Sequence, residues 1–257
     1  MKQVKDFILV KNHKINTLYS RLTLAPADGS KLPEILPGQF VQVAVETPGV
    51  FLRRPISIND VDMAANTIDL LVRNAGKGTD ALIKSKENSI INILLPLGNG
   101  FSTDAPADSR LLLIGGGVGV APLLYLGKIL KKAGLKPEFL LGARSAKDLL
   151  EIEDFQKVGE VHICTEDGSI GTQGLVTAHQ VMQEKSYRYY CCGPAPMMKA
   201  IAKIAYASGT ECEVSLENMM ACGLGACLCC VEKTVKGNVC VCTEGPVFNI
   251  NQLTWNE

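Results

Sequence analysis

Cys222-Gly-Leu-Gly-Ala-Cys227-Leu-Cys229-Cys230, with Cys240 and Cys242 a short way beyond, is the stretch around which the rest of the chain is organised. Cys222, Cys227 and Cys230 are spaced C-x4-C-x2-C. A distant fourth cysteine completes the ligand spacing of a plant-type [2Fe–2S] cluster, which needs four thiolates. A short loop wraps one side of a small inorganic core only if its backbone turns sharply. Gly223 and Gly225 supply positions free to take positive φ and let backbone N–H groups approach the sulfurs. Cys229 and Cys240 leave the register open: Cys229 sits too close to Cys227 for the pattern, and Cys240 could replace Cys242 on spacing alone. A structural zinc site is the competing reading, but it usually uses two short C-x2-C-type pairs, and only Cys227 and Cys230 form one here. A disulfide framework suits a small secreted protein. This sequence starts Met-Lys-Gln-Val-Lys-Asp, without the apolar run of a secretory signal.

The 257 residues leave room for two domains of ordinary size and a small appendage. Hydrophobic residues make up 47%, enough for a sizeable core. Charge balances, with 26 basic and 26 acidic residues, so nothing points to nucleic acid or an anionic membrane surface. No apolar run reaches the length of a bilayer span. Ten cysteines without an export signal point to a reducing cytoplasm and to metal or redox chemistry.

Residues 1–101 read as short strands split by turns: 6–11, 17–24, 39–45, 55–59, 67–73 and 90–95, with one short helix near 79–86. Leu18, Leu22 and Leu24 fall on one face of the second strand, and Val41, Val43 and Val45 on one face of the third. Many short strands at this spacing predict a small antiparallel barrel. Arg53-Arg54-Pro55-Ile56-Ser57 enters one strand, and the arginine pair offers a fork for phosphate oxygens. Leu71-Val72-Arg73 runs through Gly76-Lys77-Gly78-Thr79 into a helix start, where backbone N–H groups suit an anion. A plain glycine turn capped by Thr79 is the alternative. Together on one barrel, the two motifs favour a nucleotide-type cofactor.

After a polar linker the pattern changes across 102–210. Leu111-Leu112-Leu113-Ile114 is a continuous apolar strand, as in a parallel sheet buried on both faces. It runs into Gly115-Gly116-Gly117-Val118-Gly119-Val120-Ala121-Pro122 and then an apolar helix to about Lys132. The loop departs from G-x-G-x-x-G, so the strand–glycine loop–helix order carries the nucleotide reading, not the motif. Further strands at 139–142, 161–165 and 187–192 predict an α/β parallel sheet, with helices after Ser145, near 175–184 and from Pro196. Cys192 ends the last of these strands, as an inert buried thiol or as part of a nicotinamide pocket. No acidic residue closes the 139–142 strand, and Arg144 there leaves NAD against NADP open.

Arg54-Pro55-Ile56-Ser57, Gly78-Thr79, Gly115–Pro122 and Cys192-Gly193-Pro194-Ala195-Pro196-Met197 together resemble the ferredoxin-NADP reductase superfamily. Ser215-Leu216-Glu217 before the cysteine loop and Glu244-Gly245-Pro246-Val247-Phe248 after Cys242 narrow the resemblance to the electron-transfer subunits of type B dihydroorotate dehydrogenases. It covers nearly the whole chain. It implies an α+β multidomain fold: an FAD-binding β-barrel at 1–101, an NAD-binding α/β domain at 102–210 and a small [2Fe–2S] domain at 211–257.

The resemblance implies that Arg54, Pro55, Ile56 and Ser57 hold FAD at its pyrophosphate and flavin edge. It places Leu71, Val72 and Arg73 at the ribose and adenine side and Gly78 and Thr79 at the phosphates. Gly115, Gly116, Gly117 and Gly119, with Cys192, Gly193 and Pro194, would frame the nicotinamide nucleotide. Cys222, Cys227, Cys230 and Cys242 would ligate the cluster, Cys242 being favoured because it precedes Gly-Pro-Val-Phe as the family's last ligand does. Ile56 stands where the broader superfamily commonly has Tyr. Cys222 departs from a related group, similar to ferredoxin-dependent NADP transhydrogenase small subunits, that carries a carboxylate there.

The implied partner is an FMN-containing dihydroorotate dehydrogenase catalytic subunit in a two-plus-two heterotetramer. The implied role is to relay electrons from that FMN to NAD+ in pyrimidine (UMP) biosynthesis. No residue here is suited to be a base toward dihydroorotate. The alternatives are a reductase subunit of the same superfamily serving a hydrogenase or ferredoxin, and a zinc-stabilised binding module.

Overall fold

The computed structural model describes residues 2–256. It divides into two compact units, each described in turn. The first takes the chain through Gly100, together with Asn218–Glu232 and Cys240–Pro246. The second takes Phe101–Glu217, Lys233–Val239 and the chain from Val247.

In the first unit, strands β1 (Gln3–Lys14), β2 (Tyr19–Pro26), β3 (Phe40–Val43), β4 (Arg54–Asp62), β5 (Thr67–Arg73) and β6 (Ile90–Leu97) close into an antiparallel barrel. Its order is β1-β2-β5-β4-β3-β6, and helix α1 (Lys77–Ile83) follows β5. Alternation supplies the core: Phe7 and Leu9 of β1, and Leu22 and Leu24 of β2, are buried. Leu18 departs from the expected face. It lies ahead of β2 and is exposed, because Asn16 Oδ1 accepts from the N–H groups of Leu18 and Tyr19 and turns the chain there. Register shifts between Leu9 and Lys11 and between Ile58 and Asp60 are the bulges that let so small a barrel curve shut.

The second unit is built on a sheet of β7 (Arg110–Gly116), β8 (Lys136–Ala143), β9 (Glu160–Thr165), β10 (Thr172–Gln173), β11 (Arg188–Cys192), β12 (Glu211–Ser215) and β15 (Val247–Asn249). The order is β10-β9-β8-β7-β11-β12-β15. Every pairing is parallel except that of β15, which runs antiparallel to β12. Leu111 through Ile114 are fully buried, as a central strand covered on both faces requires. Helix α2 (Ala121–Lys132) opens with Pro122 in its first turn. It packs so closely on β8 that a Cβ on Gly127 would overlap the Phe139 ring.

The helix expected near 175–184 does not form. Two 3-10 turns, Val176–Ala178 and Gln180–Gln183, stand in its place. His179 between them is extended, and its ring Nδ1 accepts the Val181 N–H at 3.1 Å, which breaks the run. The segment after Ser145 is likewise a 3-10 turn and a short helix, α3 (Ile152–Gln156). Helix α4 (Ala195–Ser208) has Pro196 in its first turn and ends on Gly209 in the left-handed region, φ 66°.

The remaining chain forms the hairpin strands β13 (Val231–Thr234) and β14 (Gly237–Cys240) and the short helix α5 (Val241–Glu244). The span 211–257 is thus shared: β12 and β15 complete the α/β sheet, while 218–232 and 240–246 join the barrel unit. Among the described residues, no helix is long and apolar enough to cross a membrane.

Candidate functional site

The cysteine segment is seated on the barrel. Asn99, just past β6, donates through Nδ2 to the carbonyls of Thr243 (3.2 Å) and Glu244 (2.9 Å). Its own N–H reaches Gly245 O at 2.6 Å. These bonds fix α5, and with it Cys242, against the end of β6. The 222–230 loop takes the turns expected of it: Gly223 has φ +70° and Gly225 φ +82°. A Cβ on Gly223 would lie 2.9 Å from Gln42 Cγ and 3.0 Å from Leu97 Cδ1, and one on Gly225 would lie 2.9 Å from Thr243 Cγ2. Both positions therefore need glycine for space as well as for φ. Leu228, at φ 58°, bends the chain between Cys227 and Cys230 without that help.

Backbone N–H groups point at the thiols. Leu224 donates to Cys222 Sγ at 3.3 Å, Gly225 to Cys242 Sγ at 3.1 Å, and Cys242 N–H to Cys230 Sγ at 3.4 Å. The Leu224 N–H, with those of Cys227 and Ala226, pulls the Cys222 thiol down to about 6. Cys242 goes the other way, to about 12, because it is buried and lies beside Cys230. Cys240 is also close to Cys230, but its Sγ faces a carbonyl, Gly225 O, at 3.8 Å. Cys242 Sγ receives an N–H where Cys240 Sγ meets an acceptor. Thiolates need donors, so of the two Cys242 has the surroundings of a ligand. Cys227 and Cys229 are exposed. Among the described residues, no three His, Cys, Asp or Glu side chains converge on a point one ion could occupy. The fit to a cluster rests on the donor set: thiols brought together on one loop and its neighbour, with N–H groups directed at their sulfurs.

On the same unit, the arginine pair splits into two roles. Arg53 is consumed by the fold: Nη1 donates to Gln42 O (3.1 Å) and Asn92 O (3.2 Å), and Nη2 to Asn92 Oδ1 (2.5 Å). The expected two-arginine fork is therefore absent. Arg54 is tethered through Nη1 to Leu52 O at 3.0 Å, and its guanidinium lies against buried Gly78, where any Cβ would overlap it. The structure thus brings Arg54 and Gly78 together. Thr79 ties the turn: its hydroxyl accepts the Ala75 N–H at 2.8 Å and donates to Gly76 O at 3.1 Å.

Pro55, Ile56 and Ser57 are half-buried beside Arg54. Leu71 and Val72 are buried and Arg73 is exposed. The pairing of β5 with β4 ends at Leu70, so the main chain of Leu71–Arg73 is not paired with β4.

In the second unit, the sheet order places the remaining predicted residues. β8 and β9 lie to one side of β7, and β11 and β12 to the other, so the topology switches between β7 and β11. Nucleotides bind such sheets in the crevice at the strand carboxyl ends, at the switch point. Gly115 and Gly116 end β7, Gly117 and Gly119 follow in the 3-10 turn Gly117–Val120, and Cys192 ends β11 with Gly193 and Pro194 just beyond it. The two loops are in contact. A Cβ on Gly119 would strike the Cys192 carbonyl and Gly193 Cα, and one on Gly116 would lie 2.7 Å from Met197 Sδ and 3.1 Å from Pro194 Cδ. Burial holds the Cys192 thiol well above its ordinary range, so it is a neutral wall of the crevice. Arg144, at the end of β8, is exposed.

A closed antiparallel barrel, a parallel sheet with a glycine-lined switch-point crevice and a cysteine-rich carboxyl segment define an NAD-binding oxidoreductase of the ferredoxin reductase type. The comparisons agree. Residues 113–203 match the oxidoreductase NAD-binding domain, and residues 217–254 match the iron-sulfur cluster binding domain of dihydroorotate dehydrogenase B. The chain is 39% identical over 249 residues to the dihydroorotate dehydrogenase B (NAD(+)) electron transfer subunit of Lysinibacillus sphaericus, covering 93% of this chain and 94% of that one. It is 41% identical over 231 residues to the subunit of the same name from Listeria monocytogenes serotype 4a, covering 88% and 90%. A solved structure of an NADH-dependent reduced ferredoxin-NADP oxidoreductase superposes with TM-score 0.85 at 29% identity, covering 97% of this chain and 90% of that one. The chain belongs to the family of dihydroorotate dehydrogenase B electron transfer subunits.

Asn99 and Gln42 shape the site without belonging to any motif, because what each one meets lies far from it in the chain.

Proposed function

We propose that this chain is the electron-transfer subunit of an NAD-dependent dihydroorotate dehydrogenase. It works in the cytoplasm with a separate FMN-containing catalytic subunit, as a two-plus-two heterotetramer, on the route to UMP. The observation that carries the proposal is the seating of a thiol cluster on the barrel that also presents Arg54 against Gly78. It occurs in a chain 39% identical, over 93% of its length, to a relative bearing that name. The functional spans are 1–101 for FAD, 102–210 for NAD and 211–257 for the cluster.

When bound, FAD exchanges a hydride with nicotinamide and single electrons with a [2Fe–2S] cluster, which joins two-electron to one-electron chemistry. The chain's own residues bind and orient. Arg54 neutralises the FAD pyrophosphate, and Gly78 leaves room for its guanidinium. Pro55, Ile56 and Ser57 line the flavin edge, Thr79 holds the phosphate turn closed, and Leu71–Arg73 contribute main chain at the ribose. Gly115, Gly116, Gly117 and Gly119 let the nicotinamide nucleotide approach the backbone, with Cys192, Gly193 and Pro194 as the opposite wall. Cys222, Cys227, Cys230 and Cys242 are the proposed ligands. The Leu224 and Gly225 N–H groups stabilise negative sulfur, which is the protein's lever on the cluster potential.

The test is anaerobic reconstitution. The FMN-containing dihydroorotate dehydrogenase of the same cell is mixed with dihydroorotate and NAD+, with and without this chain. NADH should form only when both proteins are present. A chain that holds FAD and cluster yet supports no NADH formation would serve a different partner. The 0.85 TM-score likeness to a ferredoxin-linked oxidoreductase makes a ferredoxin the next to try. A colourless chain with zinc and no acid-labile sulfide would leave only a binding module.

A further inference from the structure

Gln42 is the one polar residue of β3, between Val41 and Val43, and its side chain is fully buried. Neither Nε2 nor Oε1 has a hydrogen-bond partner among the described residues. A buried carboxamide left unpaired is costly, and a leucine of similar size would fill the place without that cost. The group therefore needs an explanation.

Its position supplies one. Gln42 pairs with Pro55 across β3–β4, so it shares a sheet face with the strand that starts at Arg54. The same face lies under the cysteine loop. A Cβ on Gly223, the residue after Cys222, would lie 2.9 Å from Gln42 Cγ and 3.3 Å from Nε2. The backbone of Gln42 is fixed from behind by the Arg53 guanidinium on its carbonyl at 3.1 Å. The carboxamide is thus held against Gly223, next in sequence to the first cysteine of the loop, with its donors unspent.

We propose that Gln42 is a positioning residue that donates an amide N–H to a sulfur of the [2Fe–2S] group held at Cys222, and so raises its reduction potential. The proposal rests on the cluster reading above. One-electron reduction places more negative charge on the sulfurs. A donor aimed at them favours the reduced form over the oxidised one.

The test uses the full chain with its cofactors, as wild type, Gln42→Leu and Gln42→Glu. Iron, labile sulfide and FAD are counted, and cluster and flavin midpoints are then read separately by potentiometric titration with EPR and absorbance. If wild type carries no iron and sulfide, the cluster reading itself has failed, and this is known before any variant is compared. With loaded protein, Gln42→Leu should lower the ratio of reduced to oxidised cluster roughly fivefold at a fixed ambient potential, the factor expected for one lost hydrogen bond. Gln42→Glu should lower it further, because a carboxylate replaces the donor. The flavin midpoint should stay put in both. An unchanged cluster midpoint in loaded variants overturns the proposal, as does a shift confined to the flavin. If Gln42→Leu loses its cluster, Gln42→Glu decides on the same readout. Loss of the cluster from both variants would assign Gln42 a packing role and overturn the proposal as well.

Discussion

The cysteine segment and the nucleotide crevice were built by opposite routes. The segment packs its chemistry into one nine-residue loop and a neighbour, and its spacing already favours a cluster over zinc. The crevice spreads its chemistry over two loops far apart in sequence, with a glycine pattern that matches no standard fingerprint. Its site is decided by sheet order: β7 and β11 lie side by side at the point where the topology reverses. Thiol ligands must be at fixed spacings because a cluster is small and rigid. A crevice that offers backbone needs only close approach, which many glycine arrangements supply.

The sharpest way to break this comparison is in the segment. Cys230→Ser, at a fully buried thiol that receives the Cys242 N–H, should abolish the iron and sulfide content while FAD and nucleotide binding persist. Cys242→Ser should do the same and Cys240→Ser should not, because only Cys242 Sγ receives the Gly225 N–H. Iron and sulfide retained in Cys242→Ser but lost in Cys240→Ser would reverse the assignment.

Next in size is the sheet that makes the crevice. Leu113→Ala, in the middle of fully buried β7, should cost about 2–5 kcal/mol in urea unfolding, by loss of burial and creation of a cavity. Gly119→Ala should cost about 1–3 kcal/mol, since its methyl meets backbone that cannot swing aside. It should also weaken NADH binding at least about tenfold, the equivalent of one misplaced contact worth roughly 1.4 kcal/mol, with iron content unchanged. If NADH binds normally to Gly119→Ala, the crevice is not the nucleotide site. The smallest effect is at the surface. Lys84→Ala removes an exposed ion pair to Asp80 at 2.7 Å and should leave the urea unfolding midpoint unchanged, since water screens the pair and α1 buries Leu82 and Ile83.

Much of the fold was legible because burial repeats at the periods sequence can show. Each barrel strand lies within a few residues of the alternation that announced it, and Leu111–Ile114 read as a doubly covered strand and is one. What failed to show depended on single side-chain bonds or on distant partners. His179 turns a helical pattern into two tight turns through one ring nitrogen. Arg53 reads as half of an anion fork, but it is spent on Asn92 and Gln42, residues that sequence does not place beside it. β12 and β15 are short, and both are held by neighbours that sequence does not announce: β12 lies along β11, and β15 along β12. The thiols were the clearest of the site residues. Spacing leaves Cys240 and Cys242 equal, and the preference for Cys242 comes from the Gly-Pro-Val-Phe that follows it. The direction of the Gly225 N–H, which spacing does not encode, supports the same preference.

The central claim is that one chain passes electrons between nicotinamide and an iron–sulfur cluster through its own flavin. The most direct measurement adds NADH anaerobically to the purified chain, without any partner, and records low-temperature EPR alongside the flavin absorbance. The account predicts that the flavin bleaches and the signal of a one-electron-reduced [2Fe–2S] cluster grows in. It also predicts that the signal is missing in Cys230→Ser, in which the flavin still bleaches. Bleaching of the flavin in the wild-type chain, with a loaded cluster that stays EPR-silent, would contradict it.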